Sequence, residues 1–167
     1  YKNQPWIRGF NGYPSNCVNR VAMWQQYKHD EVFKQIEYEF ALAQKTKLNA
    51  VRAIIQFEVW YYEHDSFMSN LAEYLTLADK YGIKVMLTIG NDCTVPKELF
   101  VPVKFGEQHV DWGYHSGICR GPHAGGYTSH AIWFPTSPTC SRISIRWWMN
   151  SLRSMPRTRA FRFGTSG

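Results

Sequence analysis

The acidic residues of this chain stop at Asp111. All thirteen Asp and Glu lie at or before that position, and they balance the thirteen Lys and Arg found up to Thr128. The stretch 129–167 has no acid and no lysine but carries six arginines, so it holds the whole formal charge of +6. Folded domains usually mix both signs of charge on their surface. The sequence therefore predicts two differently composed parts, 1–128 and 129–167, which join at about Thr128.

The bulk composition favours one domain with a hydrophobic core. A chain of 167 residues with 44% hydrophobic content is long enough for one core. Aromatic residues make up 16%. Such rings are ordinary core residues, but they also build carbohydrate sites because sugar C–H faces pack on them. The pI of about 9.2 would suggest nucleic acid. We predict no nucleic-acid partner, because the excess charge lies in the tail.

Other classes of site and location find little support in the sequence. The apolar runs are too short for a membrane span, so no membrane partner is expected. The four cysteines form no C-x-x-C pair, and glycine-rich nucleotide motifs are lacking. Four residues that could bind a metal lie close together in the sequence: His109, Asp111, His115 and His123. Their spacing matches no known metal-binding motif, so we expect no metal and no cofactor. The chain begins with Tyr1 and not with Met, so a leader peptide before it is possible. Both a cytoplasmic and a secreted location are therefore left open. The oligomeric state is also left open.

Hydrophobic periodicity predicts a β-α-β-α-β order. Apolar residues recur at helical spacing after Asp30, a candidate N-cap, and again after Asp65 or Ser66. Gly82 stands where a left-handed residue would end the second helix. Compact apolar runs typical of strands buried on both faces lie between and after the helices. The predicted strands are 6–11, 50–55 and 84–89, and the predicted helices run from 30 to 45 and from 65 to about 81. This order predicts parallel strands with right-handed crossovers.

The connections after the strands are longer than those after the helices. The segments 10–30, 56–64 and 90–128 are polar and rich in aromatic residues. An α/β barrel places long loops at the carboxyl ends of its strands, and its active site is built there. We therefore predict an α/β chain that forms part of a TIM (β/α)8 barrel, namely its first three βα units, followed by an irregular tail.

Six short segments between about 6 and 128 form a recognisable set: Arg8-Gly9-Phe10-Asn11, Asn49-Ala50-Val51-Arg52, Gln56-Phe57-Glu58-Val59-Trp60, Gly90-Asn91-Asp92-Cys93-Thr94-Val95-Pro96, Val110-Asp111-Trp112-Gly113-Tyr114-His115 and Arg120-Gly121-Pro122-His123. Together they resemble bacterial glycoside hydrolases of the large (β/α)8 clan, which includes family-five-like cellulases and mannanases and β-xylanase-like proteins. This resemblance implies hydrolysis of O-glycosidic bonds in a β-linked carbohydrate substrate.

The resemblance implies a role for Arg52. It matches the arginine that sits under the catalytic nucleophile in this clan. An arginine inside an apolar strand also needs a carboxylate partner, since its desolvation is costly. A structural ion pair inside the barrel is the alternative. Glu58 would contact substrate or neutralise Arg52.

Substrate-binding residues are expected in the loops. Asn91 and Asp92 follow the third strand and would bond sugar hydroxyls, unless they only form an Asx-turn. Trp60 and Trp112 are candidate stacking platforms. His115 is a candidate ligand of sugar hydroxyls, and Tyr114 is a further candidate platform.

The sequence departs from the family pattern at the reacting groups. Glycoside hydrolysis needs two carboxylic residues that flank the bond. In this clan one glutamate follows an asparagine at the end of strand four, and the other ends strand seven. Neither motif occurs in the 167 residues. The chain as written is therefore expected to be inactive, and a non-catalytic carbohydrate-binding protein is the alternative function.

The codons of the tail predict a shift of reading frame. Trp and Met have single codons, so Trp147-Trp148-Met149-Asn150 fixes most of the underlying DNA. Read from the third base of each codon, it encodes Val-Asp-Glu, whereas the other shifted frame meets a stop. Met155-Pro156 then forces Ala, and the rest is compatible with an acidic helix followed by a buried strand. We expect 129–167 to be a frame-shifted, low-order tail; a genuine basic interaction tail is the alternative.

Overall fold

A computed structural model describes residues 6–88 and 104–109, without the side chain of Phe57. Three strands and four helices alternate along these residues. The strands are β1 (Gly9–Asn11), β2 (Ala50–Ile54) and β3 (Lys84–Thr88), and the helices are α1 (Arg20–Trp24), α2 (His29–Lys45), α3 (Phe57–Tyr62) and α4 (His64–Lys80). The predicted tail 129–167 lies outside the described residues.

The three strands form one parallel sheet in the order β1-β2-β3. Three residues stand side by side across it, because Asn11 is in register with Arg52 and Arg52 with Met86. The predicted α/β class and the parallel pairing are confirmed.

Helix α2 confirms the helical periodicity found in the sequence. Its four predicted core positions are all buried: Phe33, Ile36, Phe40 and Ala43. The predicted N-cap was wrong, because the helix begins at His29 after Lys28, which adopts a left-handed φ of 57°. Asp30 lies inside the first turn, where a carboxylate is stabilised by the helix dipole.

Helix α4 also follows the prediction, with a start one residue earlier than expected. Phe67, Leu71, Tyr74, Leu75 and Ala78 line its buried side. Gly82 has a φ of 68°, as its position after the helix requires, and its N–H bonds the carbonyl of Asp79.

The core lies between these helices and one face of the sheet. Trp24 packs against Phe67 and Tyr74 at ring-centroid distances of 5.5 and 5.3 Å. Phe40 meets Tyr74 edge-on at 5.2 Å. Cys17 joins this core as a free, buried thiol, and burial raises its pKa to about 12, with a smaller contribution from Glu39.

Gly12 allows the turn after β1 to approach the core closely. Its N–H bonds the carbonyl of Arg52 at 2.9 Å. A Cβ at this position would stand 2.5 Å from Val51 Cγ2 and 2.6 Å from the Tyr74 hydroxyl. Glycine is therefore required here by space.

The second face of the sheet corrects one prediction. The strands were expected to be buried on both sides, but Arg52 is exposed and Met86 is 59% exposed. The physical reason is that the described helices pack against one face only, through Phe10, Val51, Ala53, Val85 and Leu87. We call this second side the uncovered face; it carries Gly9, Asn11, Ala50, Arg52, Ile54, Lys84, Met86 and Thr88.

Helices α1 and α3 were not predicted. Both lie in segments expected to be loops, 10–30 and 56–64, and they have only five and six residues. Short helices give too few turns for a hydrophobic period to appear. None of the helices in the described ranges is long and apolar enough to cross a membrane.

Candidate functional site

A chain of polar side chains lies just beyond the carboxyl end of β2. Arg20 Nε donates to Gln56 Oε1 at 3.0 Å. Gln56 Nε2 in turn donates a short hydrogen bond to Glu58 Oε2. We call these three residues the carboxyl-end cluster.

All three residues of the carboxyl-end cluster are buried. Arg20 is 7% exposed, and Gln56 and Glu58 are each 2% exposed. Charges are seldom buried without partners, because desolvation costs several kcal/mol. The bridging amide offers its oxygen to the cation and its N–H to the carboxylate. It therefore fixes the orientation of both charged groups.

The cluster is assembled by the elements that leave the ends of the strands. Asn19 caps α1 by accepting from the N–H of Ala22 at 2.9 Å. Trp24, at the other end of α1, donates from its indole to the carbonyl of Ile54 at 2.8 Å. These contacts place α1 over the end of β2. Gln56 precedes α3, and Glu58 lies in the first turn of that helix.

The segment 104–109 packs on the same side of the molecule, and we call it the return segment. Gln25 Nε2 donates to the carbonyl of Gly106 at 2.8 Å, and the N–H of Gly106 donates to Gln25 Oε1 at 2.9 Å. Asn19 bonds Gln108 at 2.9 Å, and Lys28 pairs with Glu107 at 3.0 Å. The connection after β3 is thereby tied to the connection after β1, and a cavity of about 140 Å³ lies between them.

Three aromatic residues in succession have opposite environments on α3. Trp60 is 5% exposed and meets His64 edge-on at 5.7 Å, so its ring belongs to the core. Tyr61 and Tyr62 are 61% and 67% exposed. Stacking on a sugar needs an accessible ring face, which Trp60 does not offer here. Its role as a platform stays a prediction.

Arg52 lies away from the carboxyl-end cluster, on the uncovered face. It takes part in none of the ion pairs found within residues 6–88 and 104–109. The prediction that it is buried in the strand was wrong, because none of the helices in residues 6–88 lies over that side of β2. An exposed guanidinium keeps its hydration and needs no carboxylate partner. Glu58 accepts from Gln56, and the ion pairs found among the described residues do not include Glu58 with Arg52.

The other predicted site residues are not placed by the structure. Asn91, Asp92, Trp112 and His115 lie outside the described residues, as does Tyr114. Within the described ranges, no group of three His, Cys, Asp or Glu side chains is arranged to hold a metal ion.

Sequence reasoning missed Arg20 and Gln56. A signal existed for Gln56, since it directly follows a predicted strand, where α/β proteins gather their polar site residues. Arg20 gave no such signal, because it belongs to the short helix that no hydrophobic period revealed.

The chain was compared with protein-family models, curated proteins and solved structures. No family model, no curated protein and no solved structure matches this chain.

Proposed function

We propose that residues up to about Thr128 are the first three βα units of a (β/α)8 glycoside hydrolase that cleaves β-linked glycosides. The observation that carries the proposal is the way the sheet is wound. Its parallel strands follow one another in chain order, and the described helices cover one face. A barrel keeps this strand order throughout, whereas a doubly wound sheet reverses it between two halves that are each in chain order. The long polar connections after the strands therefore favour the barrel, since they are where a barrel builds its active site.

The uncovered face supports the same proposal. In a barrel, the face without helices lines the interior and becomes covered when the remaining strands close the sheet. Met86, 59% exposed, would then enter the packed barrel core. Arg52 would point to the interior, where the resemblance expects an arginine that orients the nucleophile. The carboxyl-end cluster would lie near the mouth of the barrel.

The proposed chemistry requires residues that this sequence lacks. In a retaining glycosidase one carboxylate attacks the anomeric carbon, while the other carboxylic acid first gives and then removes a proton. Glu58 is the buried carboxylate of the cluster, but it lies in neither of the family's glutamate motifs. We therefore propose that the chain as written is inactive and that its sequence after about Thr128 is a shifted reading frame.

The test is to read the coding DNA and restore the frame. We expect the third-base frame to encode a helix, a strand and then an Asn-Glu-Pro motif. The restored full-length protein should release reducing sugar from at least one β-linked polysaccharide, and Arg52→Ala should lower its kcat. A coding sequence without that helix and strand, or a restored protein inactive on glucan, xylan and mannan, would contradict the proposal.

A non-catalytic carbohydrate-binding protein is the second candidate. The observation that favours it is the exposure of two neighbouring tyrosines, Tyr61 and Tyr62, beside a core that is already well packed on the helix side. It predicts a folded monomer of the 167-residue chain that binds glycan without turnover. Analytical ultracentrifugation of the 167-residue chain, together with the activity of the restored protein, would distinguish the two candidates. An unclosed barrel should self-associate through its strand edges, whereas a binding protein should be a monomer.

A further inference from the structure

We propose that Tyr61, Tyr62 and Phe105 form a stacking platform for the neutral pyranose rings of a β-linked glycan. The ligand class rests on the proposed function, whereas the platform itself rests on the geometry of these three rings. None of them is among the residues expected to bind substrate from the sequence alone.

The three rings form a continuous cluster contributed by two connections. Tyr61 and Tyr62 lie on α3, which follows β2, and their ring centroids are 4.9 Å apart with planes at 90°. Phe105 belongs to the return segment after β3, and its ring lies 6.1 Å from that of Tyr62, with planes at 75°. Tyr62 therefore lies between the other two rings, and its plane is nearly perpendicular to both.

The two tyrosines of this cluster are unusually exposed for rings of their size, while Phe105 beside them is partly buried and packs against the core. Tyr61 and Tyr62 are more than half exposed, although Val59 and Trp60 of the same short helix are buried. Single exposed aromatic residues are common, and Tyr38 on α2, 64% exposed, is one. Grouped exposed rings instead indicate a binding surface.

The chemistry of the cluster fits a sugar. Aromatic faces attract the C–H faces of pyranose rings, and phenolic hydroxyls exchange hydrogen bonds with sugar hydroxyls. None of the three side chains carries a charge, whereas single-stranded nucleic acid would need cations along its backbone. The cluster adjoins Glu58 and Gln56 on the same connection, at the carboxyl ends of the strands, where α/β proteins bind ligands.

Isothermal titration with the purified 167-residue chain tests the proposal. The probes are cellohexaose, xylohexaose and mannohexaose. We expect binding of at least one, weakened about twofold to twelvefold by Tyr62→Ala, since an aromatic contact is worth about 0.5–1.5 kcal/mol. Phe105→Ala should weaken it less. Tyr62→Phe should retain most of the affinity, because the ring face remains. Tyr38→Ala is the matched control and should change nothing.

Three outcomes would overturn the platform. They are no binding of any probe by a chain whose circular dichroism shows folded structure, equal loss in Tyr62→Ala and Tyr38→Ala, or unchanged binding in Tyr62→Ala. These results are distinct from those that test the hydrolase. A restored enzyme that is fully active with Tyr62→Ala refutes the platform alone, whereas Tyr62-dependent binding by a chain whose restored form has no activity refutes the hydrolase alone.

Discussion

The two faces of the sheet differ although the same strands form both. On the helix side, Val51 and Ala53 are 1% and 0% exposed and pack into a continuous aromatic and aliphatic core. On the uncovered face, Arg52 stands between them in sequence yet is exposed, and Met86 beside it is 59% exposed. The stability of the described residues should therefore come mainly from the helix side of the sheet.

The largest expected effect contrasts Leu71 with Met86. Leu71 on α4 is 0% exposed, so Leu71→Ala should lower the free energy of unfolding by about 2–5 kcal/mol, through lost burial and an unfilled cavity. Met86→Ala on the uncovered face should cost about 0.5 kcal/mol or less. Urea unfolding followed by circular dichroism measures both. Similar losses would show that the uncovered face is covered after all.

Arg20 and Arg52 should also differ in how much they contribute to stability. Arg20 is buried and bonded to Gln56, so Arg20→Ala should cost on the order of 3 kcal/mol, because the polar groups around it lose their partner. Arg52→Ala should change the free energy of unfolding by about 0.5 kcal/mol or less. The same urea titration applies. A large loss for Arg52→Ala would contradict its exposure.

Two glycines provide a matched pair of smaller effect. Gly12→Ala would press a methyl group against Val51 and Tyr74, and it should cost about 1–3 kcal/mol through overpacking. At Gly9, on the uncovered face, the nearest atom to a new Cβ is 3.4 Å away, so Gly9→Ala should be nearly neutral. Thermal unfolding of the two variants checks this. Equal melting temperatures would mean that the turn after β1 does not sit as closely as described.

The smallest expected effect is pH-dependent and lies on the outside of the helix layer. Lys80 on α4 donates to Glu37 on α2 at 2.6 Å, and this bond, followed by one from Tyr81, holds the pKa of Glu37 below its usual 4.5. A lowered folded-state pKa stabilises the fold above pH 4.5, and the contribution is lost as the pH falls through the folded value.

Glu37→Gln should therefore be slightly less stable than the parent at pH 7, and the difference should vanish below the folded-state pKa of Glu37. Urea midpoints at pH 7 and at decreasing pH below 4.5 measure it. The effect is small because the side chains of Lys80 and Glu37 are about half exposed, so water and salt screen their charges. A difference that persists unchanged at the lowest pH would show that the glutamine disturbs packing and not charge.

The sequence was sufficient for the long elements. Helices α2 and α4 have enough turns for their buried residues to recur visibly, and Gly82 marked the end of α4 because a left-handed residue is needed there. The parallel pairing followed from the alternation of helices and strands. These features depend on local pattern, which a sequence displays directly.

The sequence was insufficient where tertiary contacts decide whether a side chain is buried and which residue it bonds. A run such as Ala50–Ile54 is apolar enough to suggest burial on both faces, and only the position of the helices shows that Arg52 is exposed. Likewise, the residue types along α3 do not reveal that Trp60 turns inward and Tyr62 outward. The hydrogen bond between Arg20 and Gln56 joins residues 36 positions apart, which no local pattern encodes.

The buried thiol of Cys17 can report local opening of the fold. A thiol with a pKa of about 12 is almost wholly protonated at pH 8, and alkylating reagents attack the thiolate. Iodoacetamide should therefore label Cys17 only during excursions that release the turn after β1 from α2. The labelling rate of Cys17, measured by mass spectrometry of its peptide, would report how often the turn after β1 opens.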